Sequence, residues 1–261
     1  MDFTRLLLPI VVVGGALVYM VWMRKRASQA LANAGPAFVE FFRRTGYAYP
    51  DMVNLPPEAQ AQRALSQSSQ TTGGGLQTHY VRNFHGLTIH NITRHGSETR
   101  NGQSVYVMSN KWEAPLSRPP RLGIHIADKR LGAFGVNLAR EVLMNTRRNW
   151  SPAHPHPVTT GIPDIDSRFA IFATDPAAAA ALFHQNPSLA SLLGGWAELD
   201  VAITRDLAYF ADPEQKNMTA AMGGTIGSMA VGFDYGKRLE MAIPVHDRVA
   251  ELLATLVRAT A

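Results

Sequence analysis

The sequence predicts an α+β fold: an N-terminal transmembrane helix, a linker, then an antiparallel sheet with packed helices that include a C-terminal helix pair. Three observations predict it. Residues 6–23, LLLPIVVVGGALVYMVWM, carry no charge and run straight into Arg24, Lys25 and Arg26. Residues 76–127 fall into short alternating runs separated by turn signals. Residues 168–256 mix strand-like runs with capped, helix-period ones. The expected organisation is therefore an anchor with its basic flank at 1–26, a juxtamembrane helix and flexible linker at 27–75, and an α+β domain at 76–261.

As a helix, positions 6–23 would reach about 27 Å, one hydrocarbon thickness. The ten strongly apolar side chains, Leu6 through Val21, together favour insertion by roughly 3–6 kcal/mol. Tyr19 and Trp22 fall at one end, where amphipathic rings prefer the membrane interface. Arg24, Lys25 and Arg26 follow, and cationic flanks stay cytoplasmic, so the N-terminus is expected outside and the large domain inside. The triplet also suits anionic headgroups. A cleaved secretory signal would carry its positive charge before the apolar run, where Asp2 here offsets Arg5.

Ala37 to Thr45, AFVEFFRRT, reads as a short amphipathic helix with Arg43 and Arg44 at its C-terminal end, where cations suit the dipole. Its Phe38, Phe41 and Phe42 can face either the domain or the membrane interface. Residues 50–75 begin with prolines, pass through a short Glu/Ala/Gln helix and end in Ser, Gln, Thr and three glycines, a spacer composition.

Strands are expected at Leu76 to Phe84, Leu87 to Thr93, Gln103 to Asn110 and Leu122 to Ala127, giving a sheet of at least four. Phe84-His85-Gly86 and Asn101-Gly102 supply the hairpin turns. In the second run, Leu87, Ile89, Asn91 and Thr93 share one parity. Gly135 to Arg147 has helical spacing, whereas Arg147 to Pro157 has too many prolines for regular structure.

Arg168 to Thr174 reads as a buried strand, followed by a helix with Asp175 at its N-cap and Pro176 at its first position. Ser188 opens another helix that stops at Gly194-Gly195. Glu198 to Thr204 and Leu207 to Phe210 form a hairpin around Arg205-Asp206. Asp212-Pro213 repeats the cap chemistry ahead of an uncharged helical face, Met218 to Phe233, whose glycines imply a close backbone neighbour. Pro244 opens the last helix, with Val245, Val249, Leu252, Leu253 and Leu256 on one side.

The stretches DIDSRFAIFATDPAAAAALF, AELDVAITRDLAYFADP and IPVHDRVAELL, between residues 164 and 253, resemble uncharacterised bacterial single-pass membrane proteins with a C-terminal α+β domain. The resemblance implies a strand leading to an Asp-Pro-capped helix, a hairpin and a C-terminal helix pair. It implies no catalytic residue, because no activity is assigned to such proteins.

Composition narrows the function further. Of 261 residues 46% are hydrophobic, ample for one core, and the net charge of +5 is modest for a nucleic-acid binder, so no nucleic-acid partner is expected. There is no cysteine, hence no disulfide, thiolate nucleophile or cysteine metal site. His154 and His156 share a spacing that can chelate, but no carboxylate stands at a companion position, and no metal or cofactor is expected. Asp164, Asp166 and a histidine are the residues a hydrolase would use; Asp175 already has a role as a cap. The chain thus reads as a single-pass protein of a bacterial inner membrane, with a non-catalytic cytoplasmic interaction module. Its partners would be the bilayer and other membrane proteins, as an accessory or scaffold subunit. A membrane-tethered hydrolase, or a lipid- or small-ligand-binding domain, is the alternative.

Overall fold

The computed structural model describes residues 18–19, 21–22, 25–26, 29–69, 76–100, 103–129, 153–212, 215–224 and 234–261. It is an α+β fold built on an eight-stranded antiparallel sheet. The strands are β1 (Leu76–Phe84), β2 (Leu87–Arg100), β3 (Gln103–Pro115), β4 (Ile124–Asp128), β5 (His156–Val158), β6 (Phe169–Ala173), β7 (Asp200–Ile203) and β8 (Leu207–Asp212), in the spatial order 1-2-3-8-7-4-6-5. The helices are α1 (Gly35–Thr45), α2 (Pro57–Ser69), α3 (Pro163–Arg168), α4 (Pro176–Gln185), α5 (Pro187–Gly194), α6 (Lys216–Ala221) and α7 (Tyr235–Thr260).

Period-two alternation sorts the sheet into two faces. One cross-strand row runs through all eight strands: Tyr80, Asn91, Trp112, Phe210, Val201, Ile126, Ile171 and Val158. Most of this row is core, joined by Ile124, Ile203 and Ala208, and covered by Leu182 and Phe183 of α4, Leu189 and Leu193 of α5, and Val249, Leu252, Leu253 and Leu256 of α7. At the β1–β2 end a second cluster joins α1, α2 and the start of α7 through Phe38, Phe41, Phe42, Tyr47, Tyr49 and Ile243. The three phenylalanines of α1 are therefore turned into the protein rather than towards a membrane, each 7% exposed or less.

Local signals account for most boundaries. The β1–β2 turn closes Phe84 onto Leu87 with both His85 (φ 47) and Gly86 (φ 82) left-handed, the geometry a two-residue hairpin requires. Arg100 pairs with Gln103 at the end of the β2–β3 ladder, and the expected turn residues Asn101 and Gly102 lie outside the described residues. Asp175 caps α4 as expected, its Oδ1 accepting from the backbone N–H of Ala177 and Ala178, with Pro176 in the first turn. Asp212, at the end of β8, accepts from the N–H groups of Asn217 and Met218, but the N-cap of α6 is Gln215, left-handed and without a side-chain cap, so the Asp-Pro cap expected there is not formed at that position.

Three further expectations are corrected. Pro244 does not open the last helix: α7 starts at Tyr235, where Asp234 accepts from the Lys237 N–H, and Pro244 lies inside it. The break is tolerated because Pro244 and Glu240, whose carbonyl loses its partner, are both exposed to water. Within the proline-rich run His156–Val158 is a strand after all, at the sheet edge beside β6, where proline costs no ladder bond on its open side. The helix after Asp212 ends at Ala221, and Gly223 and Gly224 take left-handed φ values of 80° and 76°, so a turn rather than a close neighbour explains them. The helix expected at 135–147 and the remainder of the uncharged face, 225–233, lie outside the described residues.

Candidate functional site: a cleft with a polar floor

The core row changes character at β2. Alternation places Asn91 and Thr93 of β2 and Asn110 of β3 on the same face as Ile89 and Trp112, yet among the described residues no apolar layer covers them. Instead they floor a cleft of about 450 Å³ between the sheet and the helices α1, α6 and α7. That volume is within the range of small-ligand sites. Its walls are largely apolar: Phe41 from α1, Met218 and Met222 around α6, and Tyr235, Leu239 and Ala242 from α7. Arg238, exposed, also lines it.

The floor is a hydrogen-bonded group. Asn91 Nδ2 donates to Asn110 Oδ1 at 2.6 Å and to the Lys111 carbonyl at 3.3 Å, and Thr93 Oγ1 donates to Asn110 Oδ1 at 2.9 Å. Asn91 and Asn110 are 1% and 2% exposed. These bonds use both N–H groups of Asn91 and the oxygen of Asn110. Asn91 Oδ1 and the two N–H groups of Asn110 have no partner among the described residues.

His246 of α7 completes the floor. Trp112 Nε1, a donor only, donates to His246 Nδ1 at 3.1 Å, so the neutral ring carries its proton on Nε2. Burial, aided by the nearby Arg82 guanidinium, pushes His246 down to about 3, so the ring is neutral at physiological pH. The cleft thus offers three neutral N–H groups and one carbonyl oxygen at its base, with apolar walls above.

A second polar group crosses the opposite face of the sheet, in the row His90, Glu113, Tyr209, Ala202 and His125. His125 Nε2 lies 2.8 Å from Asp200 Oδ1; burial outweighs that carboxylate and pushes His125 down to about 4, which makes the ring a neutral donor. Burial, then Asp200, pushes the Tyr209 hydroxyl up. His79 Nε2 and His90 Nδ1 meet at 3.0 Å on the same face. No group of three or more His, Asp or Glu side chains able to hold a metal ion exists among the described residues.

The residues singled out for hydrolysis do not converge. Asp166 is tied into its own loop, accepting from the N–H and hydroxyl of Thr160 and the N–H of Gly161. Those bonds overcome the effect of burial and hold its carboxyl below the usual range. Asp164 lies exposed in the first turn of α3. His154 is buried against the Ile203 carbonyl at 2.9 Å, and His156 is exposed on the edge strand.

Of the interface residues, Tyr19, Trp22, Lys25 and Arg26 are helical and exposed; Arg24 and most of the predicted span lie outside the described residues. The Tyr19 and Trp22 rings are 6.1 Å apart, and the Arg26 guanidinium stands 5.1 Å over Trp22. Among the described residues no helix is long and apolar enough to cross a membrane. The cleft itself was missed in the sequence; its signal was the polar pair Asn91 and Thr93 on the parity of Leu87 and Ile89.

No protein-family model and no curated protein matches the chain. Among solved structures it is similar to the mycobacterial trehalose monomycolate transport factor A, TtfA, at 12% identity and a TM-score of 0.31, over 85% of this chain and 94% of that one. A likeness so slight decides neither fold nor function.

Proposed function

We propose that this chain is a membrane-anchored, non-catalytic accessory module that binds a small apolar or amphipathic ligand in the cleft between the sheet and α7. In this reading residues 6–23 span the inner membrane with the N-terminus outside, and Arg24, Lys25 and Arg26 hold the folded body at the cytoplasmic face. The observation that carries the proposal is the cleft: concave, apolar-walled and furnished with a few convergent polar groups. Its position supports the tether. Gly236, at the start of α7 beside the cleft-lining Tyr235, sits against Ala37 near the start of α1, where a Cβ on the glycine would lie 3.6 Å from the alanine methyl. The basic triplet precedes Ala37 by little more than ten residues. Val18, Tyr19, Val21 and Trp22 are 49–70% exposed, large apolar side chains that a bilayer would cover.

The test is to purify the full-length protein from its own membranes in mild detergent and identify what accompanies it, for the wild type and for Ala242→Trp, which fills the cleft. A small molecule in near-stoichiometric amount, lost in the variant, is expected. Membrane proteins recovered in fixed ratio from both proteins, with no small molecule, would favour a scaffold subunit instead.

A further inference from the structure

The geometry points to the chemical class of the ligand: a single-chain amphiphile whose uncharged carbonyl-bearing end, a carboxylic acid or primary amide, inserts head first onto Asn91, Asn110 and His246. This rests on the reading of the cleft as a binding site and adds the direction and identity of the group that enters it.

The argument is one of matching donors and acceptors. At the floor, Asn110 presents two N–H groups and Asn91 one carbonyl oxygen, none with a partner among the described residues, at positions at least 98% buried. One N–H of Asn110 and the oxygen of Asn91 form the donor–acceptor pair that a carboxylic acid or primary amide complements with two hydrogen bonds. His246 adds a third group, its Nε2–H, because Trp112 occupies Nδ1. An apolar chain end at this floor would seal off these groups unpaired, so the polar end of a ligand goes in and the chain points out. The exit suits a chain. Met218, Met222 and Leu239 form the wall, and methionine adapts to flexible apolar shapes. Among the described residues lining the cleft there is no carboxylate or lysine, and its arginine, Arg238, is exposed rather than set among the buried floor groups, which favours an uncharged head over an ion pair.

The experiment uses full-length protein in lipid nanodiscs and a photoactivatable dodecanoic acid, with the cross-linked peptides mapped by mass spectrometry. Labelling is expected in the segments carrying Met218, Met222 or Leu239, competed by dodecanamide at least ten-fold better than by dodecane. Asn110→Leu, close in size, should weaken labelling ten-fold or more, the loss expected when a buried hydrogen-bonded head finds no partner. Ala242→Trp should abolish it. If Ala242→Trp blocks labelling but dodecane competes as well as dodecanamide, the cleft binds and the head-first recognition is overturned. If labelling falls elsewhere and survives Ala242→Trp, the cleft is not a binding site and both readings fail. The competition arm needs only wild-type protein, so a poorly folding Asn110→Leu leaves the outcome decidable.

Discussion

Arg82 of β1 and Asp247 of α7 form an ion pair of unequal partners: the guanidinium side chain is 3% exposed, the carboxylate 50%, and they meet at 2.8 Å. Arg82 also donates to the carbonyls of Thr45 and His246 at 3.0 and 2.8 Å and lies 4.8 Å over the Tyr47 ring. One side chain therefore ties the first strand, the end of α1 and the middle of α7 together beside the cleft. Arg82→Leu strands two buried carbonyls and should cost about 2–4 kcal/mol. Asp247→Asn keeps an acceptor at a half-exposed site and should cost roughly 1 kcal/mol. Urea unfolding checks the order; equal losses would mean that the ion pair, not the carbonyl bonds, dominates.

The buried histidines set an acid limit on stability. His246 and His125 are held down to about 3 and about 4, against about 6.5 in an unfolded chain. Between these values the unfolded chain binds protons that the folded one does not. The stability they allow is complete above about pH 6.5 and falls as pH drops, by up to about 1.4 kcal/mol per unit for each ring. Asp212 opposes this: burial pushes it up to about 6, so the folded state takes its proton earlier and gains relative stability as pH falls below 6. Unfolding at pH 7.5, 6 and 5 should show a net loss, and His246→Gln, which keeps an acceptor for Trp112, should remove about one proton from the slope. An unchanged slope would mean that His246 is charged in the fold.

Much of this architecture was legible because it depends on local chemistry. Asp175-Pro176 announces a capped helix, and His85-Gly86 announces a hairpin, whatever surrounds them. The alternation in 87–93 gave the strand and even its polar intrusion. The eight-strand order was not legible, since pairing β3 with β8 and β4 with both β6 and β7 joins residues far apart in the chain. Pro244 misled for a related reason: a proline signals a helix start unless its exposed side faces water, and exposure is a tertiary property. His246 is not legible as a site residue, because a histidine between Val245 and Val249 only interrupts an apolar face until the fold sets Trp112 against it.

Asp166 and Asp164 are separable by stability. Asp166 satisfies two backbone N–H groups and a hydroxyl, so Asp166→Ala should destabilise by about 1–3 kcal/mol. Asp164→Ala, on the surface, should stay within about 0.5 kcal/mol. Thermal melts of the two variants decide it. A wild-type melting temperature for Asp166→Ala would remove the structural role and reopen the case for chemistry at that carboxylate.

The absence of cysteine makes the predicted tether directly measurable, since one introduced thiol reports without background. With Asp2→Cys, a membrane-impermeant maleimide should label intact cells; with Ala261→Cys it should label only after the cells are opened. The reversed pattern would invert the orientation. The anchor can be broken by arithmetic: the apolar residues of 6–23 favour insertion by roughly 3–6 kcal/mol, while arginine at a span's centre costs about 2.5–3.5 kcal/mol. Val12→Arg with Val13→Arg therefore adds about 5–7 kcal/mol of cost and removes two favourable residues, which is enough to reverse the balance. The double variant should move from the membrane fraction to the soluble one. If it stays membrane-bound through a wash in high salt, something other than residues 6–23 holds it there.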